Sequence, residues 1–277
     1  MLLQGKKLLI TGVLTPHSIA FAVAEMAQKQ GAEVLLTSFG RPMSLTQRTA
    51  RKLSPVPEVL ELDVSNSAHF TALHDAVKQR WGRIDGVLHA IGFAPEDALG
   101  GKFLTTPWES VAQAFRISTF SLKELSVAML PLFDKGGGIV TLDFDNSTHA
   151  WPLYDWMGVC KAGLEATVRY LARDLGKHHI RVNALAAGPI ATIAAKGIPG
   201  FNYLENTWHD QAPLGWDARS EAAVDAVAKM SCVLMSDWAP LTTGELVRVD
   251  GGFHAMGAKP IDLAAIAATE AAAKATT

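Results

Sequence analysis

The segment Lys7-Leu8-Leu9-Ile10-Thr11-Gly12 decides the fold, because it is a short apolar run that ends on a glycine. Such a run predicts a buried strand. Residues 18–30 follow with the apolar spacing of a helix, and Gly31 is a stop signal. The apolar run at residues 33–38 predicts a second strand. A strand, a helix and a strand in this order form a βαβ unit, the usual opening of a doubly wound nucleotide-binding sheet.

The rest of the chain continues this alternation. Further strands are predicted at residues 58–62, 85–92, 138–144, 180–187 and 245–249, and further helices at 45–53, 67–81, 107–130, from 154 onward and at 222–235. We therefore predict an α/β fold, a single-domain Rossmann-like doubly wound parallel sheet of about seven strands with helices on both faces. Residues 1–257 form this domain, including an irregular substrate lid at about 190–215, rich in Gly, Pro and aromatic residues. The Ala-rich tail, residues 258–277, is predicted to be a frayed helix or disordered.

Composition and charge exclude several classes of function. The chain has 277 residues, 49% of them hydrophobic, and a formal net charge of −2 without a basic run. A large core is therefore expected, and a nucleic-acid partner is not. The two cysteines, Cys160 and Cys232, lack metal-ligand spacing, so we predict no metal site and a reduced compartment. Neither a signal peptide nor a membrane span begins the chain, which predicts a cytoplasmic protein without a membrane partner.

A tyrosine and a lysine, Tyr154 and Lys161, stand seven residues apart at the start of a helical pattern. Seven residues are nearly two turns, so both side chains project from nearly the same face, roughly 10 Å apart along the axis. The phenol can donate a hydrogen bond to an oxyanion. The ammonium can hold sugar hydroxyls and make the phenol more acidic. Taken alone, the stretch favours the alternative, in which Tyr154 is a half-buried aromatic and Lys161 a solvated helix residue. The apolar face of the pattern is Leu164, Val168, Leu171 and Leu175.

The first strand-to-helix turn is a candidate pyrophosphate site, because backbone N–H groups point outward from a helix N-terminus. The fingerprint G-x-G-x-x-G is absent: only Gly12 is present, and Ser18 stands where a later glycine would fall. Ser18 can cap the helix and donate its hydroxyl to phosphate. An ordinary turn explains the same residues equally well.

The ends of the second and third strands are candidate adenosine contacts. Phe39 is placed to stack beside an adenine, and Arg41 lies beyond it. Arg41 can accept a 2′-phosphate, so NADPH stays open beside NADH. Asp63, followed by Val64, can accept the adenine amino group. The alternatives are that Phe39 is core, Arg41 is a surface charge and Asp63 caps the next helix.

With these residues placed, the chain resembles the short-chain dehydrogenase/reductase superfamily over residues 5–257, and within it the bacterial enoyl-acyl-carrier-protein reductases. The general marks are Gly12, Asp63, Ala90-Ile91-Gly92, Asn183, Gly188-Pro189-Ile190-Ala191-Thr192 and Asp250-Gly251-Gly252. The narrower marks are Ser18-Ile19-Ala20, His89-Ala90-Ile91-Gly92-Phe93-Ala94 and the Tyr-x6-Lys spacing. Most of the superfamily has Tyr-x3-Lys instead. The chain departs from the narrower family by an extra residue before Tyr154 and by a short segment between Thr192 and Trp208, which favours ordinary acyl-chain lengths.

The resemblance implies reduction of a trans-2-enoyl thioester on acyl carrier protein, with hydride from NADH, in fatty acid elongation, by a homotetramer. It assigns catalysis to Tyr154 and Lys161. Cofactor contacts fall to Gly12, Ser18, Ile19, Phe39, Asp63, Val64, Ala90, Ile91, Gly92, Lys161, Ile190 and Thr192. Acyl-chain contacts fall to Phe93, Phe144, Tyr154, Met157, Ile198 and Phe201.

Two other functions stay open on the sequence. A 3-oxoacyl-acyl-carrier-protein ketoreductase or another short-chain dehydrogenase needs a serine about a dozen residues before a Tyr-x3-Lys, whereas Ser147 lies seven before Tyr154. A non-catalytic dinucleotide-binding sensor or scaffold would be favoured by loss of the Tyr or the Lys, and both are present.

Overall fold

The computed structural model of the chain describes residues 1–145, 148–261 and 266. Within these residues, seven parallel strands form one sheet in the order β3-β2-β1-β4-β5-β6-β7. The strands are β1 (Lys7–Ile10), β2 (Glu33–Ser38), β3 (Val59–Glu61), β4 (Gly86–His89), β5 (Gly137–Asp143), β6 (Ile180–Ala187) and β7 (Leu246–Val249). The predicted Rossmann-like doubly wound parallel sheet is confirmed.

Helices cover both faces of the sheet. They are α1 (Ile19–Lys29), α2 (Met43–Ala50), α3 (Ser67–Trp81), α4 (Trp108–Phe115), α5 (Ser121–Met129), α6 (Asp155–Leu175), α7 (Ile193–Lys196), α8 (Phe201–Gln211) and α9 (Glu221–Met235). Alternate residues of β1 belong to different cores: Leu8 and Ile10 pack with α1 and α9, whereas Leu9 packs with α3, α5 and α6. Side chains alternate between the two faces of a strand, so an unbroken apolar run is what a strand buried on both faces requires.

The chain reverses direction across the sheet between β1 and β4, which are neighbours. Thr11 joins the ends of these strands, because its Oγ1 donates to the Leu88 carbonyl (3.0 Å) and accepts from the Ala90 N–H (2.9 Å). Gly12 follows with a φ of +83°, and a Cβ there would lie 2.1 Å from the Ala90 carbonyl oxygen. Only glycine fits this approach. Such a switch point, at the carboxyl ends of the strands, is where sheets of this kind bind ligands.

The segment at residues 190–215 differs from its prediction. It was expected to be irregular, and that is wrong, because α7 and α8 lie within it. Leu204 and Trp208, four residues apart on α8, are both buried in the core. Glycines and prolines around these short helices hide the helical spacing from the sequence pattern. Whether the segment acts as a lid stays a prediction, and the predicted tail falls mostly on residues outside the described ranges.

One further detail positions the site. The helix predicted at residues 107–130 forms as α4 and α5, joined by a π-helical turn at Arg116–Phe120. Ser118 in this turn accepts from the Phe93 N–H (2.9 Å) and donates to the Phe93 carbonyl (2.8 Å). The turn therefore fixes the backbone that follows β4.

Candidate active site

Tyr154 and Lys161 lie together at the amino-terminal end of α6. Tyr154 directly precedes the helix, and Lys161 follows within its second turn. Both are buried, at 7% and 9% exposure. The alternative of a solvated lysine is therefore wrong.

The Lys161 ammonium is turned toward β5. Its Nζ donates to the Leu142 carbonyl (2.8 Å) and lies 3.9 Å from Asp143 Oδ1. Burial lowers the pKa of Lys161, while Asp143 and then Cys160 raise it. The lysine is thus a buried cation whose nearest compensating charge is one carboxylate.

Asp143 is the counterpart of this lysine. Its side chain is fully buried, and within the described residues neither oxygen makes a hydrogen bond of ordinary geometry. Burial raises the pKa of Asp143 to about 7, against the opposing effect of Lys161; Glu165 raises it further. Ionised Asp143 therefore depends on Lys161.

The Tyr154 phenol is a hydrogen-bond donor buried at the start of α6. Burial raises its pKa, and the charges of Asp143 and Cys160 raise it further. The expectation that Lys161 makes this phenol more acidic is wrong, because the ammonium faces β5 instead. The phenol stays protonated at neutral pH and is suited to donate to an oxyanion.

His89 is buried among neutral polar groups. The ring nitrogens of His89 lie 2.8 Å from Thr141 Oγ1 and 2.8 Å from Ser121 Oγ. Ser121 Oγ donates to the Ile117 carbonyl, so Nε2 of His89 carries the proton that Ser121 accepts. Burial, and then the charge of Lys161, lowers the pKa of His89 to about 3. His89 is a neutral structural residue.

The predicted phosphate site lies at the β1–β4 crevice, where Gly12 and Ala90 are in contact. Ser18 stands at the N-cap position of α1, but its Oγ donates to the Thr15 carbonyl (2.6 Å) and does not cap the helix. The capping expectation is therefore wrong. The first N–H groups of α1, which begins at Ile19, remain for an anion. On the β4 side, a Cβ on Gly92 would meet nothing within 4 Å.

The predicted adenosine contacts lie at the carboxyl ends of β2 and β3. Phe39 is 43% exposed, so it is not core, and Arg41 is exposed. Asp63 Oδ1 accepts from the N–H and the hydroxyl of Ser65 (2.8 and 2.6 Å). Asn66, not Asp63, caps α3. The alternatives for Phe39 and Asp63 are therefore wrong.

The remaining cofactor candidates keep structural roles of their own. Val64 and Ile190 are buried, and Ile91 packs against the core of the α3 face. Thr192 Oγ1 accepts from the Ala195 N–H (3.2 Å) and so caps α7. A dinucleotide fits the residues present. Three features lie at the carboxyl ends of the strands: the close approach of Gly12 to Ala90, the N-terminus of α1 and the buried cation Lys161.

Four of the six predicted acyl-chain contacts share one apolar cluster. Tyr154 and Met157 are buried in it, and Phe144 and Ile198 pack against it. Phe144 meets the Tyr154 ring edge-on at 5.1 Å. The structure does not bring the other two into this cluster: Phe93 is 46% exposed, and Phe201 packs on the core of the α1 face.

Sequence reasoning missed several residues around the site. Asp143 is one of them, although an acid inside an apolar strand is itself a signal of a buried charge. Trp151, Trp208 and Phe253 form ring contacts with one another. They come from three distant segments, and no local pattern links them.

Comparison with known proteins identifies the family. A family model described as enoyl-(acyl carrier protein) reductase matches residues 12–254. The chain belongs to the enoyl-acyl-carrier-protein reductase family. An enoyl-acyl-carrier-protein reductase (NADH) of Mycolicibacterium smegmatis is 43% identical over 265 residues, covering 91% of this chain and 97% of that protein. Its counterpart from Mycobacterium avium is 40% identical over 264 residues, covering 91% and 97%. One from Bacillus cereus is 39% identical over 261 residues, covering 92% and 99%.

In the described part of the chain, every helix is too short or too polar to cross a bilayer.

Proposed function

We propose that this chain reduces the trans-2-enoyl thioester of acyl carrier protein to the acyl thioester with NADH, in fatty acid synthesis. The observation that carries the proposal is the buried pair of Tyr154 and Lys161 on α6, at the edge of the sheet where Gly12 meets Ala90. The relatives carry the same activity in their names, with NADH as cofactor. Acyl carrier protein is the partner that those names imply.

When bound at this site, NADH would supply the hydride that adds to C3 of the enoyl group. Negative charge then develops on the thioester oxygen, and addition to the alkene requires that this charge be stabilised. Tyr154 donates its hydroxyl proton in a hydrogen bond to that oxygen. Burial keeps the phenol protonated, and it also strengthens the hydrogen bond by excluding water.

Lys161 holds the hydroxyls of the nicotinamide ribose. The ammonium has three N–H donors. One of them donates to the Leu142 carbonyl, and the others remain for the ribose hydroxyls. Asp143 keeps the ammonium charged and turned toward the carboxyl end of β5. Phe144 packs on the Tyr154 ring and restricts its rotation.

The alternatives are less well supported. A ketoreductase requires a serine beside a Tyr-x3-Lys, and this chain has the longer spacing. Ser147, the serine considered for that role, lies outside the described residues. A sensor or scaffold does not require a buried phenol and a buried ammonium on one helix.

We also propose that the protein is a cytoplasmic homotetramer. Support for assembly comes from α4 and α6, which present a shared apolar groove with Trp108 71%, Phe115 40% and Val159 41% exposed. A second copy that packs its own α4 and α6 against this groove would cover these apolar side chains. Analytical ultracentrifugation checks the mass, and a monomer at micromolar concentration would contradict the assembly.

A direct assay tests the reaction. Oxidation of NADH and of NADPH is followed at the nicotinamide band with crotonyl, octenoyl and dodecenoyl thioesters, and with a 3-oxoacyl thioester as control. We expect consumption of NADH with the 2-enoyl substrates and none with the 3-oxoacyl substrate. Equal or faster turnover of the 3-oxoacyl thioester would place the protein among the ketoreductases.

A further inference from the structure

Four aromatic rings pack together beside the active site. Trp208 of α8 stacks on Phe253 with centroids 3.8 Å apart, and Trp151 lies 4.8 Å from Trp208 and 5.6 Å from Phe253. Phe144 lies 5.5 Å from Trp151 and 5.4 Å from Trp208. The cluster, called here the aromatic wall, joins the end of β5, the segment before α6, helix α8 and the turn after β7.

The aromatic wall continues directly from the proposed acyl site. Phe144 contacts the Tyr154 ring on one side and the two indoles on the other. Trp151 also packs against the apolar cluster that contains Tyr154, Met157 and Ile198. An acyl chain that runs from the Tyr154 hydroxyl along this cluster therefore meets Trp151.

Trp151 is held in place by polar contacts. Its Nε1 donates to the Asp145 carbonyl (2.8 Å), and the Asp145 carboxylate is paired with Arg248 of β7 (2.6 Å). Both members of this ion pair are mostly buried: the Asp145 side chain is 13% exposed and the Arg248 side chain is 30% exposed. The indole is thus tied to the sheet through one residue, and displacing it breaks its hydrogen bond.

The backbone at the end of β6 restricts the position of Trp208. It is 3% exposed, and a Cβ on Gly188, at the end of β6, would lie 3.0 Å from its Cδ1 and 2.6 Å from Cε2 of Trp216. The ring therefore rests on bare backbone and cannot retreat toward the sheet. Close-packed rings of this kind leave little free volume, and displacing one forfeits its dispersion contacts.

We propose that Trp151, supported by Trp208 and Phe253, sets the upper limit of acyl-chain length, so that short and medium 2-enoyl thioesters are preferred to long ones. The proposal rests on the proposed function, since it concerns the substrate of the same site. Chains that end before Trp151 gain apolar contacts with each methylene, whereas longer chains must displace the indole. Specificity for length then falls to a residue outside the catalytic pair.

The test is the dependence of kcat/KM on chain length for crotonyl, octenoyl, dodecenoyl and hexadecenoyl thioesters. Wild type, Trp151→Ala and Trp151→Phe are compared, with Trp238→Ala as the control because Trp238 is 78% exposed. We expect wild type to favour octenoyl over hexadecenoyl thioester. Trp151→Ala should raise the hexadecenoyl-to-octenoyl ratio at least tenfold, Trp151→Phe should raise it less, and Trp238→Ala should not change it.

Other outcomes would refute either the length limit alone or the proposed function together with it. A wild-type kcat/KM that increases through hexadecenoyl, or a ratio unchanged in Trp151→Ala, overturns the length limit while leaving the reductase activity in place. If Trp151→Ala does not fold, the ratio in Trp151→Phe decides the question. Absence of turnover with every thioester in wild type would instead refute the proposed function, and the length limit with it.

Discussion

Replacing Lys161 by Met tests how much the buried Asp143 carboxyl depends on the ammonium beside it. Methionine has a similar length and no charge, so it removes the cation 3.9 Å from Asp143 Oδ1 and leaves a fully buried carboxyl. Loss of one partner of a buried pair typically costs about 3–5 kcal/mol if the other stays charged. Asp143 can avoid that cost by taking up a proton, because burial has already raised its pKa to about 7.

The cost of Lys161→Met should therefore depend on pH. Without the ammonium, which lowers it, the pKa of Asp143 rises above 7. At pH 6 the folded carboxyl is mostly protonated in both proteins, so its titration contributes little to the difference in stability. Above pH 7 the variant keeps a proton that its unfolded state, with the ordinary carboxyl pKa, has lost. Its stability should fall relative to wild type by roughly 1 kcal/mol for each pH unit, the value of one proton.

Urea denaturation followed by tryptophan fluorescence, at one protein concentration and at pH 6, 7, 8 and 8.5, measures this difference. Lys177→Met removes an exposed lysine and serves as control. The double variant Asp143→Asn/Lys161→Met removes the Asp143 carboxyl together with the ammonium and should not show the steep fall. If Lys161→Met is as stable relative to wild type at pH 8.5 as at pH 6, Asp143 does not depend on Lys161 and the reasoning is refuted.

Three further predictions follow from other residues of the site. Gly12→Ala should weaken NADH binding and lower the Tm, because its Cβ would lie 2.1 Å from the Ala90 carbonyl oxygen at a φ of +83°; an unchanged dissociation constant and Tm would contradict this. NADH should bind more tightly than NADPH in a fluorescence titration, since Phe39 adds no charge, and a tenfold tighter Kd for NADPH (about 1.4 kcal/mol) would mean that Arg41 holds a 2′-phosphate. His89, whose pKa is lowered to about 3, stays neutral in the folded state while the unfolded chain takes up its proton below pH 6.5, so it makes stability fall as pH falls from 6.5 toward 3. His89→Gln should make that fall shallower by about one proton, and equal slopes in urea denaturation would count against a buried neutral His89.

Local sequence patterns predict much of the fold and the pairing of Tyr154 with Lys161. The run from Lys7 to Gly12 predicted β1 because a strand buried on both faces needs unbroken apolar residues. The bounds of α3 and β6 also match their predictions, since caps and stops lie next to them in sequence. Tyr154 and Lys161 could be paired because a helix sets the direction of residues seven apart.

Features that depend on distant segments could not be predicted in this way. The direction of the Lys161 ammonium depends on β5, which the sequence places near α6 only after the sheet order is known. The helices around residues 190–215 were missed because Leu204 and Trp208 provide a single repeat of helical spacing. The contact of Trp151 with Phe253 joins segments about a hundred residues apart in sequence, and no periodicity predicts it.

The central claim is that the Tyr154 hydroxyl stabilises the charge that develops during hydride transfer. Tyr154→Phe tests it most directly, because phenylalanine keeps the ring that packs on Phe144 and removes only the donor. Single-turnover oxidation of NADH with octenoyl thioester gives the rate of the chemical step, and a fluorescence titration gives the NADH dissociation constant. Loss of one oxyanion donor should slow the step by up to about 100- to 1,000-fold (roughly 2.7–4 kcal/mol) and leave NADH affinity nearly unchanged. A variant that transfers hydride as fast as wild type, or that loses NADH affinity while keeping its rate, would contradict the role assigned to Tyr154.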